Sequence, residues 1–178
     1  MKLISTPMLS VLVALILLTA CSPKFDWREA HDSVAPGTIL MPGKPSQLSR
    51  PITIGQHAVT MHMSATQVDH LKFALGAAQM PDATQAQLSM AVIKNTLLQN
   101  LSGQIIREKT GVTNVAGVAA FCTEFEATSA SPATRMVARL VARGDWVYQV
   151  LVVGPAQEMD QPQNREATET FLNSFKPA

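Results

Sequence analysis

The strongest constraint on the fold is a two-residue alternation of apolar and polar side chains, which runs over residues 104–153. A period of two places successive side chains on opposite faces of a β-strand, so this part of the chain predicts four strands of an antiparallel sheet. Phe121 and Phe125 fall on one face, and Glu124 and Glu126 fall on the other. In the next predicted strand, Met136, Ala138 and Leu140 match the phenylalanine face, whereas Arg135, Val137, Arg139, Val141 and Arg143 match the glutamate face.

A turn signal fixes the register of the last two predicted strands. Gly144-Asp145 is a two-residue turn with glycine first, which is typical of tight hairpins. The following segment, Trp146–Val153, is nearly continuously apolar, which predicts a central strand that is covered on both faces. The turn predicts that Arg143 lies opposite Trp146, Val141 opposite Tyr148, and Arg139 opposite Val150.

Residues 58–77 also alternate and predict a hairpin with one packed and one solvated face. The polar stretch Ser64–Asp69 is the expected bend between its strands. The apolar residues of both strands carry odd numbers, so the predicted register places Met61 near Leu71 and His62 near His70. Two shorter strands are expected at 38–41 and 52–54, both beside proline or glycine.

Two helices complete the predicted fold. Asp82 and Gln85 have the spacing of a capping box, and a helix over 83–102 should end at Gly103. A second helix is expected over 163–176, with an apolar stripe formed by Ala167, Thr168, Phe171, Leu172 and Phe175. A central strand that is apolar on both faces needs two covering layers, so we expect an α+β fold in which an antiparallel sheet is sandwiched between two helix layers.

The N-terminal segment predicts export and lipidation. A lysine at position two is followed by an apolar run that closes with Leu18-Thr19-Ala20-Cys21, which resembles the lipobox of bacterial lipoproteins. That resemblance implies cleavage before Cys21, acyl chains such as palmitate on Cys21, and, with Ser22 next, an outer-membrane anchor with the domain facing the periplasm. A single membrane helix is the alternative, although the run is shorter than the roughly 20 residues that a spanning helix needs. We therefore divide the chain into a signal peptide at 1–20, a lipidated tether at 21–36 and one domain at 37–178.

Charge and cysteine content narrow the function classes. Removal of residues 1–20 takes away Lys2, one of 14 basic residues, and leaves the chain balanced against its 13 acidic residues. A neutral exported chain has no electrostatic reason to bind nucleic acid. Of the two cysteines, Cys21 is predicted to carry lipid, so Cys122 has no partner for an internal disulfide, and we expect it to be a small buried apolar residue. No cofactor is expected.

Three short segments carry a family resemblance. Phe25-Asp26-Trp27-Arg28-Glu29, Leu40–Pro45 and Phe171–Lys176 resemble small proteobacterial lipoproteins of uncharacterised function, whose domain is similar to the photosystem PsbP subunit and the Ran-binding Mog protein. The resemblance implies a PsbP-like fold of α/β/α type. Because both named relatives bind proteins and are not enzymes, it also implies a role in protein contact.

The candidate partner surface consists of Arg135, Arg139, Arg143, Trp146 and Tyr148. Arginine, tryptophan and tyrosine anchor many interfaces. The alternative for these residues is cross-strand pairing with Glu124 and Glu126, together with a cation–π contact between Arg143 and Trp146.

No catalytic motif of the nucleophile-elbow, zinc-protease or phosphate-loop type is present, so we expect no enzyme. His62 and His70 are two possible ligands, which do not make a closed metal site, so no metal is expected.

The function that follows is a lipid-anchored periplasmic accessory or scaffold module that binds another cell-envelope protein. The alternative is a binder of a small ligand or metal ion between sheet and helix.

Overall fold

The computed structural model describes residues 23–115 and 117–178. The predicted signal peptide and Cys21 lie outside the described residues. The described chain forms nine strands and three helices in the order β1 (Arg28–His31), β2 (Thr38–Met41), β3 (Ser46–Ile54), β4 (His57–Val68), β5 (Leu71–Gln79), α1 (Ala83–Leu101), β6 (Gln104–Val115), β7 (Val118–Ala130), β8 (Ala133–Arg143), β9 (Trp146–Pro155), α2 (Ala156–Met159) and α3 (Pro162–Ser174). Strand β1 belongs to the segment that was predicted as a tether.

Seven strands form one antiparallel sheet in the order β3-β4-β5-β9-β8-β7-β6. Strand β9 is the fourth of the seven, as its apolar sequence predicts, and is buried on both faces. The register at the Gly144-Asp145 turn is confirmed. Arg143 pairs with Trp146, Val141 with Tyr148 and Arg139 with Val150.

The predicted register of the β4–β5 hairpin is wrong. Strand β4 continues through the expected bend to Val68, which pairs with Leu71, while His62 pairs with Ala77. The turn is made by Asp69 and His70, and Asp69 takes a φ of 52°, a conformation that aspartate tolerates better than most residues. The error arises because β5 is an interior strand that is buried on both faces, so its small residues at even positions are also core.

Helix α1 packs on one face of the sheet, which we call the α1 face. Its N-terminus is capped as predicted, because the Gln85 backbone N–H donates to Asp82 Oδ1 at 2.8 Å. The left-handed residue at its end is Ser102, with a φ of 52°, and not Gly103. Glycine at 103 serves close packing instead, since a Cβ there would lie 2.7 Å from the Thr128 carbonyl oxygen. The core beneath α1 is formed chiefly by Met61, Met90, Ile93, Phe125, Leu140 and Val147.

The opposite face, which we call the α3 face, is covered by the β1–β2 ribbon together with α2 and α3. Helix α3 ends at Ser174, so Phe175 follows it in an extended conformation and is nevertheless buried. The chain end is held to β2 because Thr38 and Lys176 exchange two backbone hydrogen bonds of 3.0 and 2.9 Å. The core of this face is formed chiefly by Ile39, Met41, Phe73, Tyr148, Phe171 and Phe175.

The predicted fold class is wrong. Strands make up 55% of the structure and helices 23%, so the protein is a mainly β structure built on a seven-stranded sheet, with only a few short helices. A core on both faces of a sheet must be covered, but this requirement does not specify helices as the cover. On the α3 face, much of that cover is the β1–β2 ribbon. Within the described part of the chain, none of the helices has the length and apolar character needed to cross a membrane.

Candidate functional site

Most residues of the predicted partner surface make contacts within the protein and are not free to bind a partner. Arg139 Nε donates to Glu124 Oε1 at 2.7 Å, and its two other nitrogens donate to the Leu172 carbonyl at 2.5 Å and Asn173 Oδ1 at 3.0 Å. Arg139 therefore ties strands β7 and β8 to the end of α3. The cross-strand alternative describes this residue better than a free docking surface does.

Arg135 has a similar structural role. Its guanidinium pairs with Asp160, which follows α2, and its Nε lies 3.4 Å from Glu126 Oε1. Arg165 also donates to Asp160, and the two arginines together hold the pKa of the Asp160 carboxyl below its usual value. These contacts fix the α2–α3 segment on the sheet.

Tyr148 is unavailable to a partner because only 1% of its surface is exposed. Its ring lies 5.1 Å from that of Phe175 and stacks on Trp146 at 6.2 Å. Its hydroxyl has no hydrogen-bond partner among residues 23–115 and 117–178, and burial raises its pKa to about 12. Arg143 and Trp146 are half-buried, and the described residues show no cation–π contact between them.

A charged groove lies beside α3, where the helix leaves part of the sheet uncovered. It has a volume of about 360 Å³ and an apolar floor and wall formed by Val137 and Leu172. Arg107 donates to Glu126 at 2.9 Å across this surface. The charged residues that line the groove are Arg107, Lys109, Glu124, Glu126 and Arg139. Of the three predicted contact arginines, Arg139 alone is among the described residues that line this groove, and its charge is already paired with Glu124.

Strand β6 borders this groove and forms one edge of the sheet, since it pairs only with β7. Its first half is protected against pairing with another strand, as natural edge strands usually are. The protection comes from a bulge between Ile105 and Arg107 and from charged side chains at 107–109. Its second half, Thr110–Val115, contains neither charge nor proline, and Val112 is 73% exposed. The other edge strand, β3, contains Pro51, which removes a backbone donor.

A polar cluster that the sequence did not predict surrounds His62. Its Nδ1 lies 2.9 Å from Ser49 Oγ and 3.7 Å from Asp32 Oδ1. Burial alone would raise the pKa of Asp32, but backbone N–H donors from Ala35 and Val34, together with nearby His62, lower it below its usual value. A catalytic relay needs the acid and the hydroxyl on opposite ring nitrogens, whereas here both approach Nδ1. The cluster therefore fixes the loop after β1 and has no relay geometry.

The remaining predicted ligands and nucleophiles do not assemble into a site. His70 lies in the β4–β5 turn, 3.8 Å from Glu158, so the predicted approach of His62 to His70 is wrong. No group of three or more metal-binding side chains occurs in the described part of the chain. Cys122 is buried, and burial, with Glu124 adding to it, raises its pKa to about 11, which disfavours the reactive thiolate.

A second groove lies on the α1 face between α1 and the β3–β4 edge, with a volume of about 260 Å³. Its walls are mainly apolar and include Ile52, Met61, Met63, Ile93, Leu97 and Leu151. Its polar lining residues include Arg50, Thr96, Asn100 and Gln149. This groove depends on where α1 crosses the sheet, which no local sequence signal reveals.

Comparison with models of known protein families finds no family that matches the chain. Comparison with curated proteins finds no match either.

Proposed function

We propose that this protein is a lipid-anchored periplasmic module of the outer membrane that binds another cell-envelope protein by accepting a β-strand at the edge of its sheet. The observation that carries the proposal is the uncharged, proline-free half of strand β6, Thr110–Val115, which is open on its outer side. An exposed edge presents unpaired backbone donors and acceptors, and an extended peptide can satisfy them by extending the sheet.

The charged groove supplies the specificity that backbone pairing lacks. Lys109 lies in the groove next to the open half of β6, and no carboxylate of the described residues lies within ion-pair distance of it. A partner strand with an acidic side chain on the α3 face would pair with Lys109. A basic residue there would meet Arg107 and Arg139 as well.

The position of Lys24, three residues after the predicted lipidation site, supports the same arrangement. Lys24, close to the predicted lipidated Cys21, pairs with Asp69 in the β4–β5 turn at 2.9 Å. The strand pairings place this turn at the same end of the sheet as Gln104, the first residue of β6. At about 3.4 Å per residue, Thr110–Val115 lies roughly 20–35 Å along β6 from that end of the sheet. An anchor at Cys21 would therefore leave the proposed docking edge toward the far end of the sheet.

The proposal is tested by placing a photo-crosslinking amino acid at Val112 in the full chain and irradiating intact cells. We expect one discrete crosslinked envelope protein, identified by mass spectrometry. The matched control is Leu48, which is 59% exposed on the opposite edge strand and should give no such product. Val112→Lys, combined with a crosslinker at Thr110, should abolish the product because a charge blocks the edge.

The same adduct from Leu48 and Val112 would contradict docking at β6. Failure to obtain any discrete adduct from positions 110–113 in cells that export the protein would contradict the function itself.

A further inference from the structure

The apolar groove beneath α1 carries an inference that does not rest on the proposed partner. We infer that it is a binding site for a single-chain amphiphilic anion, a fatty carboxylate with a short acyl chain, which is held by its tail against the sheet and by its head group near Arg50. The inference rests on the shape of the groove, the distribution of polar side chains along it, and its one charge.

The groove is elongated and its two walls run antiparallel. Along α1 it extends from Val92 to Asn100, about 12 Å at 1.5 Å per residue. Along β3 it extends from Ile54 back to Arg50, a similar length at about 3.4 Å per residue. The β3–β4 turn adjoins the Val92 end, because a Cβ on Gly55 would lie 4.0 Å from Val92 Cγ2. Arg50 consequently lies toward the Asn100 end.

The two ends of the groove differ in chemistry. The end near Ile54 and Val92 is apolar apart from Thr53, and Ile54 is buried. The floor continues with Met61, which pairs with Arg50 across β3 and β4, and with Leu151 farther along the sheet; both are buried, and thioether side chains such as Met61 adapt to flexible ligands. A hydrocarbon chain would remove apolar surface from water along this length. The favourable free energy rises with each methylene that enters.

The half of the groove that begins at Arg50 has a polar rim with one positive charge, above a floor to which Met63, Ala74 and Leu151 contribute. Arg50 is the one charged residue among the described lining residues, and none of those residues is acidic. The described part of the chain places no carboxylate within 4.0 Å of its guanidinium. Thr96 and Asn100, both exposed, add a hydroxyl and an amide on the helix side. Guanidinium and amide donors together suit a carboxylate head group.

The size of the groove selects a single chain. At about 260 Å³ it falls just below the usual range for small-molecule pockets, roughly 300–1,000 Å³. A two-chain phospholipid would leave one chain in water. The narrow floor is maintained by Gly76, over which the Gln149 side chain lies, since a Cβ there would come within 2.7 Å of Gln149 Nε2. A free fatty carboxylate therefore fits better than a bilayer lipid.

The test uses the full chain with decanoate as ligand and a diazirine analogue of decanoate as photolabel. We expect label on peptides that contain Met61, Met63 or Ile93, and loss of label when unlabelled decanoate competes. Across a series of shorter carboxylates, affinity should rise about fourfold per methylene until the groove is filled. Decyltrimethylammonium, which has the same tail and the opposite charge, should compete poorly.

Two variants separate the head-group contact from the tail contact. Arg50→Gln should weaken decanoate binding about tenfold and leave decanol binding unchanged. Its matched control is Arg107→Gln, at an exposed arginine on the α3 face, which should bind decanoate like the parent chain. Ala74→Leu, on the groove floor, should weaken both ligands. If that variant fails to fold, Arg50→Gln, at an exposed position, still decides the question.

Three results would overturn the inference. They are label outside the groove that decanoate does not displace, equal affinity of Arg50→Gln and the parent chain for decanoate, and stronger displacement of the label from the groove by a soluble two-chain phosphatidylglycerol than by decanoate.

Discussion

The C-terminal phenylalanine provides the sharpest test of the fold. Phe175 lies three residues from the chain end, where substitutions are usually harmless because termini fray. In this structure it is 1% exposed, packs 5.1 Å from the Tyr148 ring, and is followed by the backbone pairing of Lys176 with Thr38. We predict that Phe175→Ala strongly destabilises the protein.

The expected magnitude follows from the burial. Truncation of a buried phenylalanine to alanine costs about 3–5 kcal/mol, a large fraction of the roughly 5–15 kcal/mol that stabilises a typical domain. For a chain of this size each kcal/mol corresponds to about 2–4 °C in Tm, so we expect a decrease of about 6–20 °C. The assay is a thermal melt, followed by circular dichroism, of a chain that begins at Ser22.

The matched control is Glu169→Ala, at an exposed position of α3, which should shift Tm by no more than about 2 °C. If Phe175→Ala had the same Tm as Glu169→Ala, the C-terminal tail would not be packed on the sheet. The cover assigned to the α3 face would then be wrong.

Three further predictions concern the anchor, the core and the histidines. Cys21→Ala should leave an unprocessed precursor and abolish labelling by a fatty-acid probe, and unchanged labelling would refute lipidation. Burial raises the Tyr148 pKa from 10 to about 12, so the folded state retains the proton longer than the unfolded chain does. This stabilisation is complete below pH 10 and is lost as pH rises through 12. Burial of Cys122 causes a similar loss in alkali in both chains, so denaturant titrations should find that Tyr148→Phe loses roughly 2–3 kcal/mol less than the parent chain over this pH range. Finally, calorimetry should detect no submicromolar copper or zinc binding that depends on His62, and such binding, if abolished by His62→Ala, would establish a metal site.

Local sequence signals predicted the elements whose geometry is set locally. The Asp82 cap and the three- and four-residue spacing behind it gave helix α1 to within one residue at its end. The Gly144-Asp145 turn gave the β8–β9 register, because a two-residue turn leaves no freedom in pairing. The alternation of phenylalanine and glutamate along β7 predicted which side chains lie on which face of the sheet. Phenylalanine favours the apolar core, whereas glutamate needs a charged or solvated partner.

The β4–β5 register failed where that contrast disappears. Ala74, Gly76 and Ala78 are small enough to sit on a solvated or a buried face, so their pattern carries no information about burial. The His62 cluster was missed for a different reason. Asp32 and Ser49 reach His62 from a loop and a neighbouring strand, and such long-range juxtapositions depend on how the β1–β2 ribbon docks on the sheet.

Both candidate sites arise from a mismatch between the width of the sheet and the width of its cover. Seven strands spaced about 4.8 Å apart span roughly 29 Å, whereas a helix with its side chains is about 10–12 Å wide. Helix α1 contacts mainly β7, β8 and β9, which leaves the β3–β4 side of its face partly open, and α3 leaves the β6–β7 side of the other face open. The first opening is lined by apolar side chains and one arginine, and the second by paired charges beside a bare strand edge. Because an acyl chain cannot satisfy a strand edge and a peptide strand cannot fill a narrow apolar slot, the two openings call for different ligands, and loss of one interaction should leave the other intact.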